Sequence, residues 1–237
     1  MQLFYNPDIN QTTESFSFDK EESRHIIKVL RKKDSDILHV TNGLGLLFET
    51  EITLASDNKC IVQVLSIKKS PEPKFRLHLA VAPTKMNDRF EWFLEKATEI
   101  GIQEITPFFC DRSERKAINL ERFEKIILSA MKQSNETYLP KLNAAISFKE
   151  FIKQKNEGLQ LIAHCEETDK KSLKEVLKPN ENVTILIGPE GDFSDKEIAL
   201  ALDNNFQPVM LGNTRLRTET AAVVACHSVV FFNENIN

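Results

Sequence analysis

Hydrophobic periodicity changes character on either side of Lys68-Lys69-Ser70-Pro71-Glu72-Pro73, a run of charge and proline without an aliphatic side chain. One layer of structure cannot absorb both periods, so the chain divides there. Upstream the pattern is that of short strands. Phe16 and Phe18 alternate with serines, and Ile37-Leu38-His39-Val40 runs into Asn42-Gly43. Leu46-Leu47-Phe48, Ile52, Leu54 and residues 61–67 continue the pattern, with Asp57-Asn58 as another turn. Asn-Gly is a strong hairpin signal because both residues tolerate positive φ. One helix interrupts, over residues 21–31, with Ile26, Ile27 and Leu30 on one side. Short strands with turns between them predict a small β-barrel over residues 1–70.

Downstream, strands alternate with helices. Residues 75–81, 105–110, 159–165, 183–187 and 208–211 read as strands. Residues 87–100 place Phe90, Phe93, Leu94, Ala97 and Ile100 on one helical stripe, and further helices are expected over 120–131, 194–202 and 218–232. This alternation predicts an α/β domain over residues 74–237, with a mostly parallel sheet covered on both faces. A length of 237 residues accommodates both parts.

The formal net charge of -4 argues against a protein that coats nucleic acid by bulk charge, but a local basic patch can still serve an RNA substrate. Cys60, Cys110, Cys165 and Cys226 are far apart and form no C-x-x-C pair, which disfavours zinc and suits a reducing compartment. The N-terminal stretch has no apolar signal core, and the longest apolar run, residues 221–232, is too short to span a bilayer. A cytoplasmic protein without a membrane partner is expected.

In an open parallel sheet, ligands bind at the carboxyl ends of the strands. Two strand-to-helix loops stand out. Residues 183–187 lead into Gly188-Pro189-Glu190-Gly191-Asp192-Phe193-Ser194. Two glycines with a stiffening proline suit close approach of backbone to a ligand, whereas Ser194 and Glu197 form a capping box for the next helix. The second loop runs from Leu211-Gly212 to Leu216-Arg217-Thr218-Glu219-Thr220-Ala221. Arg217 lies where a helix N-terminus disfavours a cation, so it points either to an anionic partner or to pairing with Glu219 or Glu190. Dinucleotide, P-loop, zinc-protease and nucleophile-elbow fingerprints are all missing. His25 and His164 read as packing or surface residues, and no pair of histidines has metal-ligand spacing.

Leu186-Ile187-Gly188-Pro189-Glu190-Gly191 with Phe193-Ser194, followed by Leu211-Gly212 and Leu216-Arg217-Thr218-Glu219-Thr220-Ala221, resembles the RsmE family. These are SPOUT-class methyltransferases acting on N3 of a uridine in 16S ribosomal RNA. Lys96-Ala97-Thr98-Glu99-Ile100-Gly101, Ile105-Thr106-Pro107, Arg112-Ser113-Glu114-Arg115 and Gln133-Ser134 are similar to further landmarks of that family. His25-Ile26 with Lys28-Val29-Leu30-Arg31 resembles its PUA-like RNA-binding barrel. The resemblance implies a deep trefoil knot in the α/β domain, a homodimer, and 16S rRNA within the assembled small subunit as partner. It implies S-adenosyl-L-methionine as cofactor, held at the ends of residues 161–165, 187–191 and 210–217. The residues so implied are His164, Ile187, Gly188, Pro189, Glu190, Gly191, Met210, Leu211, Gly212, Leu216, Arg217 and Thr220. Three departures stand out. Asp192 replaces a second glycine, which would perturb the loop or face solvent. Asn135-Glu136-Thr137-Tyr138 stands where arginines are common, and Asp34-Ser35-Asp36 replaces a Gly-Asp turn.

Methylating uracil N3 requires loss of its proton, hence a base or cations that stabilise the anion. Arg217 is the first candidate for that stabilisation, with Glu219 and Glu190 as bases or orienting groups. For RNA, Arg24, Lys28 and Lys32 recur every four residues on the predicted helix, beside Arg31 and Lys33; Arg112 and Arg115 complete the set. Two alternatives stay open: a SPOUT ribose 2′-O-methyltransferase acting on tRNA, and a non-catalytic RNA-binding module.

Overall fold

The structure, a computed structural model, describes residues 2–155, 157–167 and 169–234. Two compact units are present. One holds the chain up to Glu72 together with Met131–Leu139; the other holds Pro73–Ala130 and the chain from Pro140 onward. The expected division at 70/74 thus meets an exception in residues 131–139. Their backbone supplies partners to the turn that follows the third strand. Gly45 N donates to Thr137 O (3.0 Å), Leu139 N donates to Gly43 O (2.9 Å), and the Thr41 hydroxyl donates to Thr137 O (3.1 Å).

The first unit is a five-stranded sheet of β1 (Leu3–Tyr5), β2 (Ser15–Ser17), β3 (Ile37–Thr41), β4 (Leu46–Leu54) and β5 (Ile61–Lys69), in the order β1-β3-β4-β5-β2. Alternation in β4 buries Leu46, Phe48, Thr50 and Ile52. Register shifts against β5 after Glu49 and Ile52 curl the sheet around Phe4, Phe18, Ile26, Val40, Phe48 and Val62. β1 pairs parallel to β3 and has too few residues to show a period.

The expected helix over 21–31 needs correction. α1 (Lys20–Arg24), capped by Asp19, gives way to a π-helical turn over His25–Val29. There Leu30 N donates to His25 O (3.0 Å) and Lys32 N to Ile26 O (3.1 Å), and Arg31 takes a positive φ of 57°. The wider turn carries Ile26, Ile27 and Leu30 into the barrel core. Four-residue spacing therefore no longer places Arg24, Lys28 and Lys32 in one row. Lys28 also pairs with Asp57 at 3.3 Å, whereas Arg24 and Arg31 are exposed. In the Asp34-Ser35-Asp36 turn, Ser35 adopts φ 67° and the Asp36 carboxylate accepts from Lys33 N at 2.8 Å.

The second unit is built on parallel strands β6 (Leu77–Val81), β7 (Glu104–Phe109), β8 (Lys141–Leu142), β9 (Ile146–Ser147), β10 (Leu159–Ala163), β11 (Lys171–Ser172), β12 (Val183–Ile187) and β13 (Gln207–Met210). Their order is β11-β13-β10-β12-β6-β7-β8, with β9 also on β7. Every residue of β6 and β12 is buried, as expected for strands covered on both faces. Ala80, Leu186 and Ile162 lie in register and face α4 (Phe148–Ile152) and α6 (Asp195–Asp203), where Phe108, Phe151, Phe193 and Phe206 fill the core. The alternate residues Leu79, Ile185 and Leu161 point to the opposite face, where α2 (Asn87–Ile100) and α7 (Thr218–Glu234) pack together. α7 buries Ala222, Ala225, Cys226 and Val229, a stripe of small side chains that lets it approach α2 closely. α3 (Leu120–Ser134) and α5 (Leu173–Val176) complete the elements. α2 ends where Gly101 adopts φ 105°, a left-handed cap.

Candidate cofactor cleft

β13, β10 and β12 are neighbours and parallel, so their carboxyl ends at Met210, Ala163 and Ile187 emerge side by side. The three loops that follow enclose two cavities of about 390 and 420 Å³, which share Ala163, Cys165, Arg215, Leu216 and Ala221 as walls. His164, Lys170, Met210, Leu211 and Gly212 line the first; Arg89, Ile187, Gly188, Pro189, Glu190, Asp192 and Arg217 line the second.

The β12 loop is shaped from within. A Cβ on Gly188 would lie 3.0 Å from the ring of Phe193, which is fully buried and stacked on Phe108. Gly188 O accepts from the hydroxyl of Thr218 (3.0 Å), tying the loop to the start of α7. Asp192 N closes a turn on Pro189 O (2.9 Å), and Asp192 itself sits at φ 62°. That conformation explains the glycine preference at this position, and an aspartate tolerates it. Contrary to the expectation of a perturbed or solvent-facing acid, Asp192 is half-buried and uses both oxygens. Oδ2 accepts from Cys165 N (2.8 Å) and Oδ1 from Phe193 N (2.9 Å). The side chain therefore ties the β12 loop to the β10 loop.

Two arginines expected at RNA have their guanidinium groups on backbone carbonyls. Arg112 Nη1 donates to Gly191 O (3.2 Å) and Phe193 O (3.1 Å). Arg115 donates to Thr84 O (3.1 Å) and Lys85 O (2.7 Å), and Lys85 N in turn donates to Glu190 Oε1 (2.9 Å). The loop after β6 and the loop after β12 are thus held against each other. The Ser194–Glu197 capping box is present, and Glu197 Oε1 also accepts from Asp111 N at 2.8 Å.

In the β10 loop, His164 is 8% exposed and neither ring nitrogen has a hydrogen-bond partner among the described residues. Burial, and then the nearby Lys170 ammonium, hold its pKa below the usual imidazole range. Lys170 Nζ donates to His164 O at 2.7 Å. In the β13 loop, Gly212 and Arg217 are exposed and Leu216 is half-buried. Arg217 O accepts from Ala221 N, which places Arg217 at the N-terminus of α7. Its guanidinium forms no ion pair among the described residues, so pairing with Glu219 or Glu190 is not the arrangement found. Glu219 faces Arg89 instead (3.9 Å) and is buried, with Oε2 unpartnered among the described residues.

Of the residues expected at the cofactor, Gly191 and Thr220 line neither cavity. Cys165 and Arg215 line both cavities from within the expected segments, and Arg89, Lys170 and Asp192 line them from outside those segments. Arg89 carried a signal, since it is a cation in the first turn of α2 and so meets the same dipole objection that singled out Arg217. The others have no local signature. Among the described residues no cluster of His, Cys, Asp and Glu could hold a metal ion, and no helix is long and apolar enough to cross a membrane.

Residues 70–230 match the family description of an RNA methyltransferase domain, and residues 18–65 that of an RNA methyltransferase PUA domain. The chain is 33% identical over 229 residues to the ribosomal RNA small subunit methyltransferase E of Buchnera aphidicola, covering 92% of this chain and 87% of that one. A crystal structure from Porphyromonas gingivalis, described as a "probable rRNA-methyltransferase", superposes with a TM-score of 0.90 at 39% identity, covering 98% and 99% of the two chains. The ribosomal RNA small subunit methyltransferase E of Neisseria gonorrhoeae, crystallised with S-adenosylmethionine, superposes with a TM-score of 0.88 at 25% identity, covering 98% of each chain. A SPOUT-type parallel sheet, a PUA-like small sheet and a loop-walled cleft at adjoining strand ends agree with these matches, and the chain belongs to the ribosomal RNA small subunit methyltransferase E family of RNA methyltransferases.

Proposed function

We propose that the protein methylates N3 of a uridine in 16S ribosomal RNA, within the assembled small subunit, with S-adenosylmethionine as donor. The observation that carries this reading is the convergence of the loops after β13, β10 and β12 on one cleft, in a chain whose family is that of rRNA methyltransferases. The cleft fits the donor. It offers strand-end backbone groups, a buried imidazole whose nitrogens have no partner among the described residues, and a close-packed glycine turn. When bound, S-adenosylmethionine supplies a methyl group made electrophilic by its sulfonium.

The chain's own residues have three tasks. Ile187, Gly188 and Pro189 on one side, with Met210, Leu211, Gly212 and Leu216 on the other, hold the donor through main-chain groups and apolar contact. Arg217, exposed and free of ion pairs among the described residues, stabilises the uracil anion formed as N3 gives its proton to water, or grips an adjoining phosphate. Glu190 and Glu219 act as positioning groups, the first on the loop after β6 and the second on Arg89. Proximity and in-line orientation supply much of the acceleration, and the target base must leave its stack to reach the cleft.

α7 is taken to thread beneath the loop that carries Gly188, forming a trefoil knot; the Thr218–Gly188 hydrogen bond supports this. A homodimer is proposed from the family and from an apolar groove of about 640 Å³ between α5 and α7, with Phe231 56% and Met210 38% exposed. The reaction belongs in the cytoplasm, where ribosomal subunits are assembled. The test is methyl transfer to naked 16S rRNA and to assembled small subunits, with the modified nucleoside identified by mass spectrometry. 3-Methyluridine is expected; a ribose 2′-O-methyl product, or no transfer to either substrate, would overturn the reading.

A further inference from the structure

Arg89 is kept at the cleft against the preference of its own helix. It lies in the first turn of α2, where the dipole disfavours a cation. Its ion-pair partner among the described residues is Glu219, and the approach of Nε to Oε1, 3.9 Å, is longer than a hydrogen bond. Glu219 is 7% exposed, and its Oε2 has no partner among the described residues. A buried carboxylate without a hydrogen bond is destabilising, and so is a cation at a helix N-terminus. The two charges offset each other where α2 packs on α7, but the pair is too loose to occupy the guanidinium. Its side-chain N–H donors have no hydrogen-bond acceptor among the described residues.

The surrounding wall says what those donors can meet. Arg89 and Arg217 line the second cavity and not the first. The acids of that wall are engaged elsewhere, Asp192 on Cys165 N and Phe193 N, and Glu190 Oε1 on Lys85 N. Two guanidinium groups, one from each helix N-terminus, are thus left for a ligand with two acceptor sites. A uracil ring is such a ligand. When N3 loses its proton, the charge spreads to the carbonyl oxygens on either side of it, O2 and O4. A cation at each oxygen stabilises that anion and leaves N3 open between them.

We propose that Arg89, held by Glu219, is a second catalytic cation, taking one carbonyl oxygen of the uracil while Arg217 takes the other. This rests on the reading of the cleft as a site of uridine N3 methylation. In the step it assists, the N3–H bond breaks and the proton goes to water. N3 then bonds the methyl carbon as the carbon–sulfur bond breaks, and that electron pair stays on sulfur. Arg89 keeps its protons throughout.

Methyl transfer by the full chain, followed against pH on the RNA substrate that wild type modifies, tests it. Arg89→Gln should lower kcat by about a hundredfold at neutral pH, with little change in KM for RNA. Its rate should go on rising to higher pH than that of wild type, because the uracil gives up its proton less readily without the cation. Arg89→Lys, which keeps the charge, should recover part of both effects. Removing Arg89 alone leaves Glu219 buried without a counter-charge, so Arg89→Gln combined with Glu219→Gln is measured beside it. The double variant should melt near the wild-type temperature, bind S-adenosylhomocysteine normally, and show the same loss and the same alkaline shift. Unchanged turnover overturns the assignment. So does a salt-dependent rise in KM with kcat and pH profile unmoved, the mark of a phosphate contact. Wild-type protein that makes no 3-methyluridine would instead overturn the reading on which the assignment rests.

Discussion

Asp192→Gly isolates one carboxylate. Glycine takes the φ of 62° without strain, so the turn closed on Pro189 survives and only the carboxylate is lost. Two hydrogen bonds go with it, to Cys165 N at 2.8 Å and to Phe193 N at 2.9 Å. A hydrogen bond to a charged group contributes about 1.5–3 kcal/mol, and the half-exposed position argues for the lower end. The Phe193 bond joins sequence neighbours and orders little. The Cys165 bond joins the two loops that wall the cleft, so the effect on the site is about 1.5 kcal/mol, roughly tenfold in ligand affinity. Global stability should move by less, since relief of left-handed strain (about 1 kcal/mol) offsets part of the loss. Asp192→Asn, which tolerates the same φ and keeps a neutral acceptor, should lose only about threefold, half the free energy. Calorimetry with S-adenosylhomocysteine reads the affinity, and hydrogen exchange at the Cys165 amide reads the tie. If Asp192→Gly exchanges that amide rapidly yet binds as tightly as wild type, the tie does not preorganise the cleft.

Arg217→Ala should lower turnover by about a hundredfold, the scale seen when one transition-state donor is removed, with little change in melting temperature because the side chain is exposed; full activity would remove Arg217 from the chemistry. In the first unit, Arg24→Ala with Arg31→Ala should reduce the salt slope of RNA binding by about 1–2, as each freed phosphate contributes a little under one. Lys28→Ala should do less because Asp57 already engages Lys28; equal slopes in all variants would discard this patch. His78, 2% exposed, has its pKa brought down to about 4 by burial, against the pull of Glu104. The unfolded chain protonates this imidazole near 6.5 while the folded protein does not, so stability is full above that pH and falls as pH drops toward 4. The loss from this group is on the order of 3 kcal/mol. Denaturant titrations of His78→Gln, which can still bond Thr106, should show a shallower acid slope; an unchanged slope would assign it elsewhere.

Period was enough to find most of the second unit. The strand over 183–187 and the helix over 87–100 appear with the predicted bounds, because each carries its full apolar pattern locally. β8, β9 and β11 are two residues each and carry no period, so only their neighbours define them. The π-turn after α1 escaped for a different reason. Ile26, Ile27 and Leu30 satisfy a helical stripe in either winding, and the choice depends on the shape of the barrel core they enter. The Asn42-Gly43 signal marked a turn correctly, yet the loop there also takes its partners from residues 137–139, nearly a hundred positions away.

The cleft shows the same division at the level of chemistry. Glycine spacing and a strand end locate the loops, because backbone freedom is a local property. What makes those loops a rigid wall is nonlocal. Cys165 is tied to Asp192, Thr84 to Arg115, Gly191 to Arg112, and Lys85 to Glu190, across 27, 31, 79 and 105 positions respectively. Each of these bonds joins a side chain to a main-chain N–H or C=O, so charged residues that read as RNA contacts in the sequence are engaged on the protein's own backbone. Arg217 stands apart from this set, as a cation at the cleft that none of these ties engages. A charge at the cleft kept out of its internal bracing is free to meet a group that is not part of the chain, which is why Arg217, rather than Arg112 or Arg115, is the residue on which the methyl-transfer chemistry is placed.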